Sequence, residues 1–472
     1  MLLASPRPAR VAPFLGLFFA AFGLYALAAR SVLRRGPSPG SPAPQAAARS
    51  GARVRRAGEG AVLAAIVAFA ALFRLTLLWS APALSDDLYR YRWDSRVLLA
   101  GRNPYAEPPA APSLAPLRDS LYEPIAHKEV RTIYPPAAQL LFAAGAALST
   151  GLLGLKILVA LCDLLVILLL RGILARRGLP QDRILLYAWN PLAVIEVAWS
   201  GHVEPLGMLF VLAAGAAIIQ RRDLRSTLAL TIAGLVKILP LALFAPFLRS
   251  LRTRAILLAP LVVAAAYWPF RSAGKRLLEG TEEYARRWSA NESIFGIAQA
   301  SIARVDPTPA LKGTIAWLRA RVPGSGPLDL LYPYLYPPDL ARAACAGAAL
   351  LIALALMRRR IEPLRGSYLM TGALLLLSPT LHPWYLLWIL PWLCLFPSRP
   401  WILLSGLVAL SYVNFGTGGR DAEPCPWIRW PEYLPFYLLL AGEWIAGRRL
   451  PGRSGGTRMI DSSRGMAPGR SS

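Results

Sequence analysis

Asp86 and Asp87 stand side by side in SDDLYRYRWDSRVLLAGRNPY, residues 85–105, directly after an apolar run long enough to cross a membrane. A carboxylate can take the proton of a hydroxyl, and the nearby Arg90 and Arg96 can hold an anion. The same residues also admit a local explanation. Ser85 is a preferred helix N-cap, two acids in a first turn complement the helix dipole, and Arg90 stands about one turn from both aspartates, with Asp94 one turn further on. Tyr89, Tyr91 and Trp93 are then interfacial aromatics. Other ionisable residues argue for more than a helix start. The chain has only three histidines, His127, His202 and His382, each at or beside the end of an apolar run, in AHKEVRTIYPP, WNPLAVIEVAWSGHVEP and SPTLHPWY. Glu196, Glu204 and Lys237 join them. Charge near or within a membrane is costly and marks function by default, so the set implies a polar cavity at one membrane face.

Positioning such a set requires a frame, and composition supplies it. The 472 residues are 55% hydrophobic and 17% charged, with a mean hydropathy of +0.43. Apolar residues gather in runs of about 15 to 22, and no alternating strand pattern occurs, so only helices can satisfy the backbone in lipid. The expected fold class is all-α, a polytopic integral membrane protein of about 13 transmembrane helices. The net charge of +26 is concentrated as arginine clusters at the ends of apolar runs, as in RSVLRRG, ILARRG and LMRRRIEPLR. This pattern fits cytoplasmic loops touching anionic lipid and gives no support for nucleic acid as a partner. With 30–56, 249–254 and 358–365 inside, the loops 81–134, 271–339, 380–383 and 417–432 lie outside. Arginines in 171–183 and 221–225 break this count, and a short or re-entrant segment between 134 and 250 would repair it. Three units follow: 1–59, an N-terminal span and cytoplasmic Pro/Ala/Arg linker, with 36–52 lacking regular structure; 60–447, one transmembrane domain; and 448–472, a disordered basic tail. Cys162, Cys345, Cys394 and Cys425 are scattered, with neither metal-ligand spacing nor a disulfide framework.

In their order and spacing, SDDLYRYRWDSRVLLAGRNPY, HKEVRTIYPPAAQLLF, YAWNPLAVIEVAWSGHVEPLGML and HPWYLLWILPW resemble the successive signatures of bacterial polyprenyl-phosphate-mannose-dependent mannosyltransferases. These belong to the GT-C superfamily, and proteins assigned to glycosyltransferase family 87 are similar. The resemblance covers most of the chain, residues 60–416. It implies a GT-C fold with large external loops. It also implies transfer of a hexose, mannose foremost, from a polyprenyl-phosphate donor to a glycan or lipid acceptor, with inversion, on the outer face of the bacterial cytoplasmic membrane. The chain departs from the pattern at Ser95, where glycine is common, and at GHVEP, where the acid is displaced to Glu204.

Such a transfer needs a carboxylate that takes the acceptor proton as the bond forms, and cations where charge develops on the leaving phosphate. One carboxylate acting as base gives a single inverting displacement. Asp86 or Asp87 is the expected base, with Asp86 preferred, and Arg90, Arg96, His127, Lys237 and His382 are the pool of phosphate contacts. Trp93, Asp94, Asn103, Tyr105, Tyr134, Asn190, His202, Glu204, Trp384 and Tyr385 complete the expected binding set. Tyr105 and Tyr134 offer aromatic faces to a sugar ring, although NPY and IYPP also read as turns that seat the following helix. The lipid-phosphate sugar is a co-substrate, no cofactor is expected, and no ligand cluster of standard metal spacing occurs. Membrane lipids are the remaining expected partner. The competing class is a polytopic transporter or flippase of lipid-linked or small substrates, which the lack of an internal repeat and the one-sided long loops disfavour. The match of NES, 291–293, to a glycosylation acceptor is taken as coincidental.

Overall fold

A computed structural model describes residues 8–34, 48–149, 151–416 and 425–449. Its elements are helices, and among the described residues the sole strand-like contact is an isolated bridge between Ala290 and Thr380. The chain opens with α1 (Pro8–Arg34), α2 (Ala48–Leu78), α3 (Asp87–Leu99), α4 (Pro136–Leu148) and α5 (Leu153–Arg176). Helix α2 begins inside the stretch 36–52 that composition assigned to a linker; residues 35–47 and the basic tail from 450 onward lie outside the described residues.

Five helical stretches among the described residues are long and apolar enough to cross a membrane: Val11–Arg34, Gly58–Leu78, Leu153–Arg176, Thr253–Arg287 and Pro337–Arg358. Several other apolar runs are built from short pieces. Pro191 starts a new helical turn inside 184–199, Pro391 caps a new one inside 384–397, and 400–416 passes from Arg399–Leu407 through the 3-10 turn Val408–Tyr412 to Val413–Gly416. The most consequential break separates Pro191–Trp199 from Glu204–Ile219, two arms bent by 118°. This bend falls within 134–250, the stretch where the arginine count called for a short or re-entrant segment. The first arm ends in a π-helical turn, Ile195–Trp199, a form that loosens helix geometry and recurs at functional sites. Gly201, in the break, has φ +74°, and a Cβ there would lie 3.0 Å from Leu88 and 3.3 Å from the Lys156 stem. Only glycine meets both demands.

Two fastenings hold α2 against α5 and thereby set where the next loop begins. Arg74 Nε donates to Asp163 Oδ2 at 2.5 Å, and Tyr187 donates its hydroxyl to the same carboxylate. Higher up, Lys156 Nζ donates to the carbonyls of Leu77, at 3.1 Å, and Ser80, at 2.6 Å, at and just past the end of α2. Trp199 Nε1 donates to Ala81 O at 2.6 Å. Beyond this, α3 lies on its own small core of Tyr89, Trp93, Val97, Leu114, Tyr122 and Ile125.

Candidate active site

Helix α3 starts at Asp87, and its first turn is capped by Ser85, whose Oγ accepts from Asp87 N at 3.2 Å; Asp86 occupies the cap position without a side-chain capping bond. The Asp87 side chain is therefore carried inward on a fixed backbone. Its Oδ2 lies 3.5 Å from His202 Nδ1 and accepts from the Tyr91 hydroxyl at 3.5 Å. On the far side, His202 Nε2 is 3.2 Å from Glu196 Oε2. His202 and Glu196 have no exposed surface, whereas the Asp87 side chain is 32% exposed. Burial alone would raise the Asp87 pKa, but the hydrogen bond and charge of His202, then the charges of Lys237 and His382, hold it below the ordinary carboxylate value.

The exposed edge of Asp87 faces a cavity of about 1790 Å³. Asp86, Asp87, Arg90, His127, Tyr134, Lys237, His382, Trp384 and Tyr385 all line it. His202 and Glu204 sit just behind the wall: Glu204 pairs with Lys237 Nζ, which also lies 4.2 Å above the Tyr385 ring. Trp384 is a shared platform. His202 stacks on it at 4.1 Å and His382 at 4.4 Å, both within 12° of parallel. Burial outweighs the attraction of Asp87 and lowers the His382 pKa to about 4, so this imidazole is neutral at pH 7. One arm of the cavity is apolar, lined by Leu239, Leu241, Ala346, Ala349, Leu374 and Leu377. Ala349 lies about 18 Å along its helix from Pro337 at 1.5 Å per residue, so the arm runs deep along a membrane-spanning helix.

Other expected residues are engaged elsewhere. Arg96 pairs with Asp119, and Trp93 packs on Tyr122 at 5.1 Å. Asp94 is buried, accepting from Arg90 Nε at 2.9 Å, from the Thr132 hydroxyl, and from Gln139 Nε2 at 3.3 Å. Asn103 accepts from Tyr105 N at 3.0 Å and donates to Phe270 O and Ser272 Oγ, each at 2.9 Å; Tyr105 donates its hydroxyl to Tyr134 O at 2.8 Å. Asn190 accepts from Leu192 N at 3.0 Å and donates to Ser405 Oγ at 2.9 Å. These side chains satisfy buried backbone and tie loops together, away from the cavity. Conversely, Arg131, Tyr284, Trp288 and Asn291 line it without having been singled out. Asn291 is nearly buried and donates to Glu432 Oε2 at 2.8 Å, which agrees with reading NES as coincidence. The only sequence signal for Tyr284 and Trp288 was an aromatic pair set among charges in EEYARRWSANE.

Fold and site together define a polytopic helical membrane protein whose buried carboxylate–imidazole cluster opens onto a large cavity. Residues 44–254 match a family described as alpha-(1->6)-mannopyranosyltransferase, N-terminal domain, and residues 339–417 match the MptB C-terminal domain. The two matches together span well over half of the chain, and the chain belongs to this mannosyltransferase family, as a membrane glycosyltransferase. Searches among curated proteins and among solved structures returned no match. The first match contains Asp86, Asp87, His202 and Lys237, the second His382, Trp384 and Tyr385, so both regions contribute walls to one cavity.

Proposed function

We propose that the chain transfers mannose, with inversion, from a polyprenyl-phosphate donor to a hydroxyl of a glycan or lipid acceptor at the outer face of the bacterial cytoplasmic membrane. The observation that carries the reading is the continuity of the cavity: a partly exposed carboxylate, Asp87, and a cation, Lys237, share it with a deep apolar arm. A hydrophobic chain fits the arm while its phosphate and sugar stay at the polar end. The outward orientation rests on the arginines at the end of α1, Arg30 and Arg34, and on Asp87 following the opposite end of α2.

Asp87 is the general base in this reading, in place of Asp86. Asp87 is aimed by Tyr91 and His202, whereas Asp86 sits at the helix start. The acceptor oxygen attacks the anomeric carbon from the side opposite the phosphate. As that bond forms, the proton passes to Asp87, and the pair of electrons of the breaking C–O bond leaves with the lipid phosphate. Lys237, fixed by Glu204, meets the charge that develops there; neutral His382 contributes an N–H hydrogen bond. Arg90, already braced by Asp94, is a second cation at the same wall. Cations of the chain itself thus serve the phosphate, and no metal ion is called on.

Transfer from radiolabelled mannosyl polyprenyl phosphate by purified protein in detergent tests the reading. No transfer by wild type across several polyprenyl-phosphate sugars would overturn it. With an active wild type, full turnover in Asp87→Asn would remove Asp87 as the base.

A further inference from the structure

A strip of aromatic faces runs along the wall of the cavity. His127 meets Trp288 edge-on, with centroids 4.6 Å apart; Trp288 meets Tyr284 at 5.3 Å; and the Tyr284 hydroxyl bonds that of Tyr385, the ring beneath Lys237. Tyr284 and Trp288 belong to the segment between the two matched domains. That segment is seated closely: Gly280 packs where a Cβ would lie 2.5 Å from Arg131 O, and Arg131 pairs with Glu279 at 3.0 Å.

Membrane-interface aromatics are exposed, as Trp79, Trp268, Trp317 and Trp430 are here, each more than half accessible. Trp288 is only partly exposed and borders the cavity. The backbone makes the same distinction. Among described residues other than glycine, five have positive φ. Arg221, Asp306 and Arg360 follow helix ends, where a left-handed residue is ordinary. His127, φ 48°, and Asn291, φ 50°, end no helix, and both line the cavity. Strained residues are kept where the surrounding structure, and commonly a ligand, holds them.

We infer that this strip is an acceptor subsite for a second, non-reacting sugar ring, which stacks on Trp288 while His127 hydrogen-bonds its hydroxyls. The apolar face of a pyranose matches a ring face, and a partly covered ring loses little further freedom on binding. The strip thereby reads the ring next to the reacting one. The inference rests on the proposed transfer and places the acceptor within it.

The test compares octyl α-mannoside with octyl α-(1→6)-mannobioside as acceptors. Wild type should show a KM for the bioside about tenfold lower, the scale of one aromatic stack. Trp288→Ala should abolish that preference, and Trp288→Phe, which keeps a ring and guards against a folding defect, should retain most of it. Equal KM values in wild type, or a preference that survives Trp288→Ala, would overturn the inference. Saturation-transfer NMR with the bioside and Asp87→Asn protein separates this from failure of the transfer reading, because it needs no turnover. Saturation on the octyl-linked, non-reacting ring that is lost in Asp87→Asn/Trp288→Ala supports the subsite even if no transfer occurs, and absence of saturation on that ring overturns it.

Discussion

Two carboxylates in this protein are held in nearly the same way. Asp163 takes hydrogen bonds from Arg74 and the Tyr187 hydroxyl, and Asp87 faces His202 and accepts from the Tyr91 hydroxyl. Their surroundings differ. Arg74 and Asp163 are 2% and 0% exposed, Arg74 also donates to Ala188 O at 2.7 Å, and neither residue borders the cavity. Asp87 shares its imidazole with a second carboxylate, Glu196, and presents its remaining surface to a cavity. The first cluster is closed on all sides and fastens α2 to α5. The second is closed on three sides, so the same chemistry that fixes a helix pair is available to a substrate.

The largest effect that separates them is on rate. Asp87→Asn should lower turnover by about 10²–10⁴-fold, the usual contribution of a general base, while thermal stability in detergent holds. A comparable loss from Asp163→Asn, per folded molecule, would erase the contrast. Breaking the closed pair should instead appear in stability. Arg74→Met or Asp163→Asn strands a buried partner and should cost about 3–5 kcal/mol, seen as a lower Tm in detergent.

His202→Asn sharpens the electrostatic side. Asp87 works ionised, and its pKa is depressed, so wild-type activity should persist to pH values below the ordinary carboxylate range and fall only as pH drops through that depressed pKa. Without His202, burial dominates and the pKa rises, so the acid limb of the pH–rate profile should move to higher pH. An unmoved limb would show that His202 does not tune Asp87. Lys156→Met, which frees the α2 end and the floor under Gly201, should lower kcat about tenfold with little change in KM, on the scale expected for a small misplacement of the base. Lys156→Arg should recover part of that loss. The smallest effect belongs to Arg96→Gln: a half-exposed pair with Asp119 should contribute about 0–1 kcal/mol, with kcat intact.

Helical class and membrane residence were legible from the length of the apolar runs, and arginines that broke the charge rule pointed to the stretch where the helix bends by 118°. The span pattern was less so, because hydropathy marks apolar runs but not where Pro191 and Pro391 cut them into short turns. Within the site, Asp87, His202, Lys237 and His382 were marked by being ionisable and scarce among apolar neighbours. Asp94 and Arg96 shared the Asp86–Asp87 stretch yet turned elsewhere, since side chains on one short helix point in every direction around it, and Asn103 lies past the end of that helix, where it ties the loop to Phe270 and Ser272. Asp163 and Arg74 lie inside apolar runs as plainly as Glu196 does, and no local pattern told fastener from site.

By itself the sequence determined the class of the molecule and the inventory of groups able to move a proton or hold a phosphate, because lipid excludes unpaired backbone and penalises unneeded charge. Only the tertiary structure decided which of those groups meet. The bend at Gly201 brings His202 and Glu196 to Asp87, and the packing of α2 on α5 seals Asp163 away. Access to a cavity depends on what covers a side chain from distant parts of the chain, and that information resides in no short stretch of residues.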